Sequence, residues 1–228
     1  MSSQEETSPE RHNELFDQLA VVGKAFGSAK RLVLIELLSQ GGRTVESLAR
    51  EAGLGVSTAS AHLQVLKLSN LVKTRRDGTK IYYSLAGEDV ANLYASMRTV
   101  ARVHSADVER ALTSYLGVSG LGDVEEVSRR ELLDRLDSGN VVLLDVRPGE
   151  EYAAGHIPGA LSVPFGELAD RLEALEADVD IVAYCRGAYC VLASDAVRLL
   201  RSQGLRARRL QDGLLEWRLG GLSVEASA

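Results

Sequence analysis

The sequence of 228 residues predicts two domains, a mainly helical one followed by an α/β domain built on a parallel central sheet. Three observations support this division. Apolar residues recur at helical spacing through most of the first half, a glycine-rich stretch (GVSGLGD) follows, and short apolar runs then alternate with helical patterns. The boundaries that these patterns predict are 1–12 for a disordered leader, 13–116 for the first domain, 117–123 for a linker and 124–228 for the second domain.

The beginning of the chain and its composition indicate a cytoplasmic protein. The first residues, MSSQEETSPERHN, are polar and acidic, and they lack the basic and apolar regions of a signal peptide. No apolar run approaches the roughly 18 residues that a membrane span needs. Apolar residues make up 45% of the sequence and charged residues 25%, which is ordinary for a globular protein. We therefore expect a cytoplasmic location and no membrane contact.

The first domain combines helices with one β-hairpin. Residues 13–39 predict two helices, Thr44 is expected to cap a third helix, and Ser57 a fourth. Two β-rich runs then flank Asp77-Gly78, a strong signal for a hairpin turn. One long helix is expected over about 88–116. Helix, turn, helix and hairpin follow one another in the order of a winged helix-turn-helix.

The segment TVESLAREAGLGVSTASAHLQVLKLSNLVKTRRDGTKIYYSL, residues 44–85, resembles the ArsR-type repressor family. The resemblance extends over residues 13–116 and includes the flanking helices. It implies a homodimer formed through the N-terminal helices and the long 88–116 helix, with a double-stranded DNA operator as partner.

The fourth helix and the hairpin supply the candidate contacts to DNA. Short polar side chains on the outer face of a helix fit a major groove, and basic side chains on a wing reach phosphates or the minor groove. The alternatives are a solvated basic hairpin or a winged helix used for protein contacts. The candidate DNA-binding residues are Ser57, Thr58, Ser60, Ala61, Gln64 and Lys67 on the helix and Arg75, Arg76 and Lys80 on the wing.

Charge is distributed unevenly, so the net charge of −6 does not argue against nucleic-acid binding. Residues 1–118 hold 14 Lys and Arg against 13 Asp and Glu, whereas residues 119–228 hold 12 against 19. Over residues 67–80 five basic side chains face one acidic residue, Asp77. The acidic excess therefore lies in the second domain.

A metal site is not expected, although relatives of the ArsR type often sense metals. His62 is interpreted as a surface or packed histidine. His104 and Asp107 resemble part of the family's dimer-interface metal site, but the matching histidines further along the chain are absent, and residues 1–116 hold no cysteine. We predict no metal and no other cofactor.

The second domain carries four motifs in order over residues 124–222. The motifs are Asp145-Val146-Arg147, Gly155-His156-Ile157-Pro158-Gly159-Ala160, Cys185-Arg186-Gly187 and Gly213-Leu214-Leu215-Glu216-Trp217. Together they resemble a single rhodanese domain. The resemblance implies a rhodanese-like α/β domain that carries a persulfide on its loop cysteine and receives sulfur from a sulfane-sulfur donor.

Two cysteines, Cys185 and Cys190, are the candidate reactive groups. A thiol that ends a parallel strand just before a helix lies at the sheet edge where α/β folds bind ligands. The backbone N–H groups of the loop and the helix that begins near Cys190 are expected to favour the thiolate of Cys185. The charge of Arg186 favours it too if that side chain turns inward. Gly187, Ala188 and Tyr189 form the candidate substrate-binding loop.

Several roles stay open at this point. Cys185 forms a persulfide or is a buried small apolar residue, and Cys190 resolves that persulfide or packs as an inert thiol. Asp145 and Arg147 are expected to pair and shape the site. His156 supports local structure or acts as a base. Trp217 is expected in the core or in a pocket wall.

The length of the loop argues against two related activities. Rhodanese-fold phosphatases and arsenate reductases place an arginine six positions after the cysteine, where this chain has Val191. A dianion would lack that bidentate contact. Three hypotheses remain: a DNA-binding regulator that senses or transfers reactive sulfur, a thiosulfate-type sulfurtransferase that uses the winged domain for localisation or dimerisation, and an interaction module with an inert rhodanese fold.

Overall fold

The computed structural model describes residues 9–116, 124–139, 141–174, 179–187 and 189–227. The chain divides after Tyr94 into two compact units. The linker predicted over 117–123 and the first eight residues of the predicted leader lie outside the described residues. No described helix combines the length and the apolar character needed to cross a membrane.

In its described residues the first unit holds four complete helices, a β-hairpin and the beginning of a fifth helix, which continues into the second unit after Tyr94. Its sheet is antiparallel, in the order β1-β3-β2. Buried leucines and isoleucine such as Leu34, Ile35, Leu48 and Leu63 form the core between the helices. The elements are α1 (Pro9–Phe26), α2 (Ala29–Ser39), β1 (Arg43–Thr44), α3 (Val45–Glu51), α4 (Val56–Leu68), β2 (Val72–Asp77), β3 (Lys80–Leu85) and α5 (Glu88–His104).

Helix α1 begins earlier than expected, because Pro9 is its first residue. Residues 9–12, which were predicted to belong to the disordered leader, are therefore helical. Proline is favoured at the first position of a helix, where its fixed φ fits and its missing N–H costs no bond. The ring of His12 also contacts the ring of Phe16 one turn later, with centroids 4.6 Å apart.

The turn between α3 and α4 sets up the helix-turn-helix. Thr44 caps α3 as predicted, accepting from the N–H of Ser47 at 3.3 Å. Gly53, at φ 62°, ends α3 in the left-handed conformation that favours glycine. The predicted cap at Ser57 is wrong, because α4 begins at Val56 and its N-cap is Gly55. Ser57 is therefore inside the first turn, with its side chain exposed.

The single long helix predicted over 88–116 is two helices. Helix α5 ends at His104 and α6 spans Ala106–Leu116. The hydroxyl of Ser105, between them, accepts from the N–H of Val108 at 3.4 Å. A serine that caps the second helix competes with continuation of the first, which explains the break.

The second unit contains a five-stranded sheet that is parallel throughout, in the order β4-β8-β7-β5-β6. This confirms the predicted parallel sheet. Two short 3₁₀ helices, Phe165–Glu167 and Ala169–Ala174, lie between β6 and β7. The elements are β4 (Glu126–Val127), α7 (Arg129–Asp137), β5 (Val141–Asp145), α8 (Gly149–Ala154), β6 (Leu161–Ser162), β7 (Asp180–Tyr184), α9 (Val191–Ser202), β8 (Ala207–Leu210) and α10 (Leu214–Leu219).

Strand β7 is the middle strand, and alternate residues of it contribute to two separate cores. Ile181 and Ala183 pack with Cys185 in a cluster that includes the inner face of α9. Val182 and Tyr184 pack in a second cluster with residues of α7 and α10. The period of two along a strand therefore places the sulfur of Cys185 on the α9 side of the sheet.

Candidate sulfur site and nucleic-acid interface

Cys185 directly follows the central strand β7 and is almost fully buried, with 2% of its surface exposed. Its backbone carbonyl accepts from the N–H of Leu214 at 3.0 Å, which fixes the end of the strand. Ala193 of α9 packs in the same apolar cluster. The thiol thus lies at the carboxyl edge of the sheet, where open α/β folds bind ligands.

Two backbone carbonyls face the sulfur of Cys185. Sγ lies 3.4 Å from the carbonyl oxygen of Cys190 and 3.8 Å from that of Gly187, so both oxygens are within reach of its single S–H proton. Burial raises the pKa of Cys185 well above its usual value, and the neighbouring Cys190 raises it further. The N–H groups of Ala193 and Gly187 oppose this increase but do not overcome it.

The pKa of Cys190 shifts in the opposite direction. It is the N-cap residue of α9 and is only partly buried. A hydrogen bond from the Cys185 thiol lowers the pKa of Cys190 and outweighs the effect of burial, and the N–H groups of Leu192 and Arg186 lower it further. Of the two thiols, Cys190 is therefore the one whose thiolate is favoured. The expectation that the loop favours the thiolate of Cys185 is wrong, because burial outweighs the N–H groups of Ala193 and Gly187 that face its sulfur.

The side chain of Arg186 does not turn towards the sulfur of Cys185. Its Nε and Nη2 donate to Oε1 of Glu151 at 2.9 and 2.6 Å. The Glu151 side chain, on α8, is completely buried. The charge of Arg186 thus neutralises a buried carboxylate, which explains why it cannot serve mainly to lower the pKa of Cys185.

The rest of the loop packs against α10. Gly187 is buried, and a Cβ built on Gly213 would lie 2.3 Å from the backbone nitrogen of Gly187. Only glycine permits this approach at position 213. Tyr189 is partly buried, with its ring under the guanidinium of Arg98 at 4.1 Å. Ala188, the third predicted loop residue, lies outside the described residues.

Asp145 and Arg147 form the expected ion pair, and both side chains are fully buried. Arg147 Nε donates to Asp145 Oδ1 at 2.9 Å, and Arg147 Nη2 donates to the carbonyl of Gly155 at 2.7 Å. Tyr184 donates its hydroxyl to Asp145 Oδ2 at 2.7 Å, and burial raises the pKa of Tyr184 so that it stays protonated. This network holds the ends of β5 and β7 together on the face of the sheet opposite the thiol.

His156 and Trp217 have structural surroundings. The ring of His156 stacks on that of Tyr152 with centroids 3.8 Å apart, and its Nδ1 lies 2.9 Å from the Tyr152 carbonyl oxygen. Trp217 is buried, and its indole N–H donates to the carbonyl of Ser223 at 2.9 Å. These contacts support the interpretation that His156 maintains local structure and that Trp217 belongs to the core.

The candidate DNA-binding residues lie on one side of α4 and on the hairpin. The opposite side of α4 is buried through Ala59, Leu63 and Leu66. Thr58 and Ser60 are partly buried. The remaining candidates are exposed and comprise Ser57, Ala61, Gln64 and Lys67 on the helix and Arg75, Arg76 and Lys80 on the wing.

Three of these side chains have partners in the first unit. Arg76 Nε donates to the carbonyl of Gly78 at 3.1 Å. Arg75 pairs with Asp77 at 3.2 Å, and its guanidinium lies 5.4 Å from the ring centroid of Tyr82. Gln64 lies 3.4 Å from the hydroxyl of Tyr83. No group of three or more potential metal ligands occurs in the described part of the chain, so His62, His104 and Asp107 have no such cluster around them there.

The sequence motifs do not predict the roles of several residues at the sulfur site. Glu151 precedes the glycine-rich hexapeptide by a few residues, and only its burial beside Arg186 gives it a role. Glu216 lies within the closing motif, yet its contact with Arg98 joins residues far apart in the chain. No local pattern points to Arg98, because it lies 91 residues before its partner Tyr189.

Two family models match this chain. The one described as the bacterial regulatory protein arsR family matches residues 28–74, and the one described as the rhodanese-like domain matches residues 128–219. The HTH-type transcriptional regulator Rv0324 of Mycobacterium tuberculosis is 53% identical over 219 residues, covering 96% of this chain and 95% of that protein. These matches agree with the order of the two domains.

Two further similarities cover one half each. A sulfurtransferase of Allochromatium vinosum is 34% identical over 105 residues, 45% of this chain and 96% of that protein. The solution structure of a homodimeric winged helix-turn-helix DNA-binding domain from Mycobacterium bovis, a possible ArsR-family transcriptional regulator, is 46% identical. It covers 47% of this chain and 95% of that one, with a TM-score of 0.42.

Proposed function

The chain belongs to the ArsR-type helix-turn-helix transcriptional regulators and carries a rhodanese-like domain, and from that premise we propose that sulfur chemistry at Cys185 and Cys190 controls its affinity for DNA. The observation that carries this proposal is the proximity of the two thiols in one loop, where the Cys185 side chain is hydrogen-bonded to that of Cys190 and its Sγ lies 3.4 Å from the Cys190 carbonyl oxygen. Both cysteines lie in the rhodanese-like domain, so any thiol-based signal has to arise there.

The first step transfers one sulfur atom to Cys185. The Cys185 proton passes to the Cys190 thiolate along their hydrogen bond, and the Cys185 thiolate attacks the outer sulfur of a sulfane-sulfur donor R–S–SH. A new S–S bond forms as the S–S bond of the donor breaks. The leaving RS⁻ keeps the bonding electron pair and takes the proton held by Cys190, which becomes a thiolate again.

The second step forms a disulfide between the two cysteines. The Cys190 thiolate attacks Sγ of Cys185, the bond to the transferred sulfur breaks, and hydrosulfide leaves with the electron pair. The two cysteines are oxidised by two electrons to a disulfide, and the transferred sulfur is reduced to sulfide. Cys190 therefore acts as a base in the first step and as the resolving thiol in the second.

In this proposal the winged domain binds DNA, and the sulfur chemistry changes its affinity. We propose that the exposed face of α4 enters the major groove and that Arg76 and Lys80 on the wing contact phosphates. The exposed short side chains Ser57 and Ala61 and the exposed basic wing support this arrangement.

Exposed apolar side chains on two helices support a homodimer. Leu15, Phe16 and Leu19 on α1 are each more than half exposed, as are Val100 and Val103 on α5. Apolar clusters of this kind on a single chain mark contact surfaces. A two-fold dimer would also present two recognition helices to successive turns of the operator.

Intact-mass analysis of the full-length protein after treatment with inorganic polysulfide tests the sulfur chemistry. Trypsin cleaves after Arg186, so Cys185 and Cys190 fall in different peptides and the added sulfur can be assigned. We expect one added sulfur on Cys185 in the Cys190→Ser variant and a disulfide in the wild type. Unmodified thiols in both proteins under donor excess would overturn the proposal.

Catalytic turnover is the second candidate function, and the similarity to the sulfurtransferase of Allochromatium vinosum favours it. In that case the Cys185 persulfide passes its sulfur to an external acceptor instead of Cys190. Steady formation of thiocyanate from thiosulfate and cyanide, lost in Cys185→Ser, supports this function. A single stoichiometric transfer without turnover supports the sensor.

A further inference from the structure

Arg98 on α5 makes two contacts that no sequence motif predicts. Its Nη2 lies 3.3 Å from a carboxylate oxygen of Glu216 on α10, and its guanidinium lies 4.1 Å from the ring centroid of Tyr189. Only 10% of the Arg98 side chain is exposed. Both contacts lie within the second unit, which begins at Ala95.

These contacts reach the sulfur loop at two points. A Cβ built on Gly187 would lie 3.2 Å from the carboxylate oxygens of Glu216 and 3.4 Å from Nη1 of Arg98, so Gly187 packs directly against the ion pair. The hydroxyl of Tyr189 lies 3.5 Å from the carbonyl oxygen of Arg98. One arginine thus contacts the loop both just after Cys185 and just before Cys190.

Glu216 ties this ion pair to the backbone of the site. One of its carboxylate oxygens accepts from the N–H of Gly213 at 3.1 Å. Gly213 in turn lies against Gly187 so closely that no side chain fits between them. A shift of Gly187 therefore has to move Gly213, Glu216 or Arg98.

We infer that Arg98 is a positioning residue of the sulfur loop and that it transmits the state of Cys185 to helix α5. The inference rests on the proposed function. Helix α5 begins in the first unit, where Val90, Ala91 and Tyr94 are buried, and continues as one helix to Arg98. Because a helix is stiff over this distance, we expect a displacement of Arg98 to displace the rest of α5.

The contacts of the Cys185 thiol indicate how modification of this cysteine would displace the loop. The carbonyl oxygens of Gly187 and Cys190 lie 3.8 and 3.4 Å from the sulfur, and these contacts are favourable only while the sulfur holds its proton. A persulfide anion or a disulfide has no proton to donate, and an anion is repelled by carbonyl oxygens. The peptide groups of the loop then have to turn, which moves Gly187 and Tyr189 away from Arg98. A cavity of about 570 Å³, lined in part by Arg98, Tyr189 and Glu216, gives the tyrosine ring room to move.

The first test measures positioning without any sulfur donor. The rate of Cys185 alkylation by iodoacetamide is followed by peptide mass in the full-length protein. In Arg98→Ala we expect the loop to open more often and the rate to rise about tenfold. Arg102→Ala is the matched control, because Arg102 lies one turn along α5, is half exposed and pairs with Glu109. Equal rates in wild type, Arg98→Ala and Arg102→Ala would overturn the positioning role.

A second variant guards against general damage to the fold. Glu216→Gln keeps an acceptor for the N–H of Gly213 and removes the charge that pairs with Arg98. We expect it to raise the alkylation rate in the same direction as Arg98→Ala. An unchanged rate in Glu216→Gln, with a raised rate in Arg98→Ala, would show that the ion pair is not what holds the loop.

The final test separates transmission from the sulfur chemistry itself. The probe is a DNA duplex selected by the wild-type protein from a random pool, and binding is measured before and after polysulfide treatment. We expect Arg98→Ala to take up sulfur at Cys185 but to lose the change in affinity that the wild type shows. An equal change in both proteins overturns the role of Arg98 and leaves the proposed function standing. A modified wild type whose affinity is unchanged overturns the proposed function and the transmission together.

Discussion

The Sγ atom of Cys185 lies 3.4 Å from the carbonyl oxygen of Cys190, and the side chains of the two cysteines are hydrogen-bonded to each other. Burial raises the pKa of Cys185, whereas the hydrogen bond from Cys185 lowers the pKa of Cys190 at the start of α9. The two protons of such a pair leave in two steps that belong to the pair. We therefore expect the state of one sulfur to change the reactivity of the other.

Removing one thiol should shift the titration of the other. In Cys185→Ala, Cys190 loses the hydrogen bond that most lowers its pKa, so we expect its half-maximal alkylation to move to higher pH. In Cys190→Ala, Cys185 loses a neighbour that raises its pKa but stays buried, so its titration should move to lower pH and remain above the usual value. The measurement is the pH profile of iodoacetamide modification for each peptide. Profiles that do not move would contradict the hydrogen bond between the two thiols.

Removing Arg186 should destabilise the rhodanese-like domain. Arg186→Ala leaves the carboxylate of Glu151 buried without its partner, which should cost about 2–4 kcal/mol in the free energy of unfolding. Urea unfolding followed by the fluorescence of Trp217, the single tryptophan of the chain, reports on this domain. The control is Arg171→Ala, whose pair with Glu167 is half exposed and should contribute less than about 1 kcal/mol. Equal effects of the two substitutions would refute the structural role of Arg186.

A methyl group at position 213 should disrupt the sulfur loop. The Cβ of Gly213→Ala would overlap the backbone of Gly187, and both are held in place by backbone hydrogen bonds around them. We expect a loss of about 1–3 kcal/mol, the range for overpacking, together with weaker sulfur uptake by Cys185. Gly149→Ala serves as control, because nothing lies within 4 Å of a Cβ built there. Wild-type sulfur uptake by Gly213→Ala would contradict the close packing of the loop.

Neutralising the wing should weaken DNA binding without changing sequence preference. Arg76 is exposed, and in Arg76→Ala we expect lower affinity for all duplexes and a salt dependence whose slope falls by about one unit. The reason is the loss of one released counterion per phosphate contact. Arg110→Ala, at an exposed arginine of α6, is the control and should leave the slope unchanged. A slope that stays the same in Arg76→Ala excludes this wing residue from the interface.

Much of the fold follows from local patterns. The Asp77-Gly78 turn, the cap at Thr44 and the parallel strands that end at Asp145 and Tyr184 each depend on neighbours close in sequence. The features whose positions were predicted wrongly are helix ends. Gly55 in place of Ser57 caps α4, and the break at Ser105 depends on a cap that competes with a continuous helical pattern.

The chemistry of the site was less predictable, for a physical reason. The sequence locates Cys185 at the end of a buried strand, but its pKa depends mainly on how completely the folded chain buries the sulfur. That burial comes from tertiary packing against residues of α9 such as Ala193. The partner of Arg186 likewise lies 35 residues away, on α8. Charge and spacing alone therefore could not decide whether Arg186 turns towards the sulfur.

The central claim is that sulfur at Cys185 changes affinity for DNA, and one binding measurement tests it most directly. The dissociation constant for a duplex selected by the protein is compared before and after polysulfide treatment, in the wild type and in Cys185→Ser. We predict a change of about tenfold or more in the wild type, which corresponds to about 1.4 kcal/mol of coupling, and no change in Cys185→Ser. An identical response in both proteins, or an unchanged constant in a wild type whose mass confirms modification, would contradict the claim.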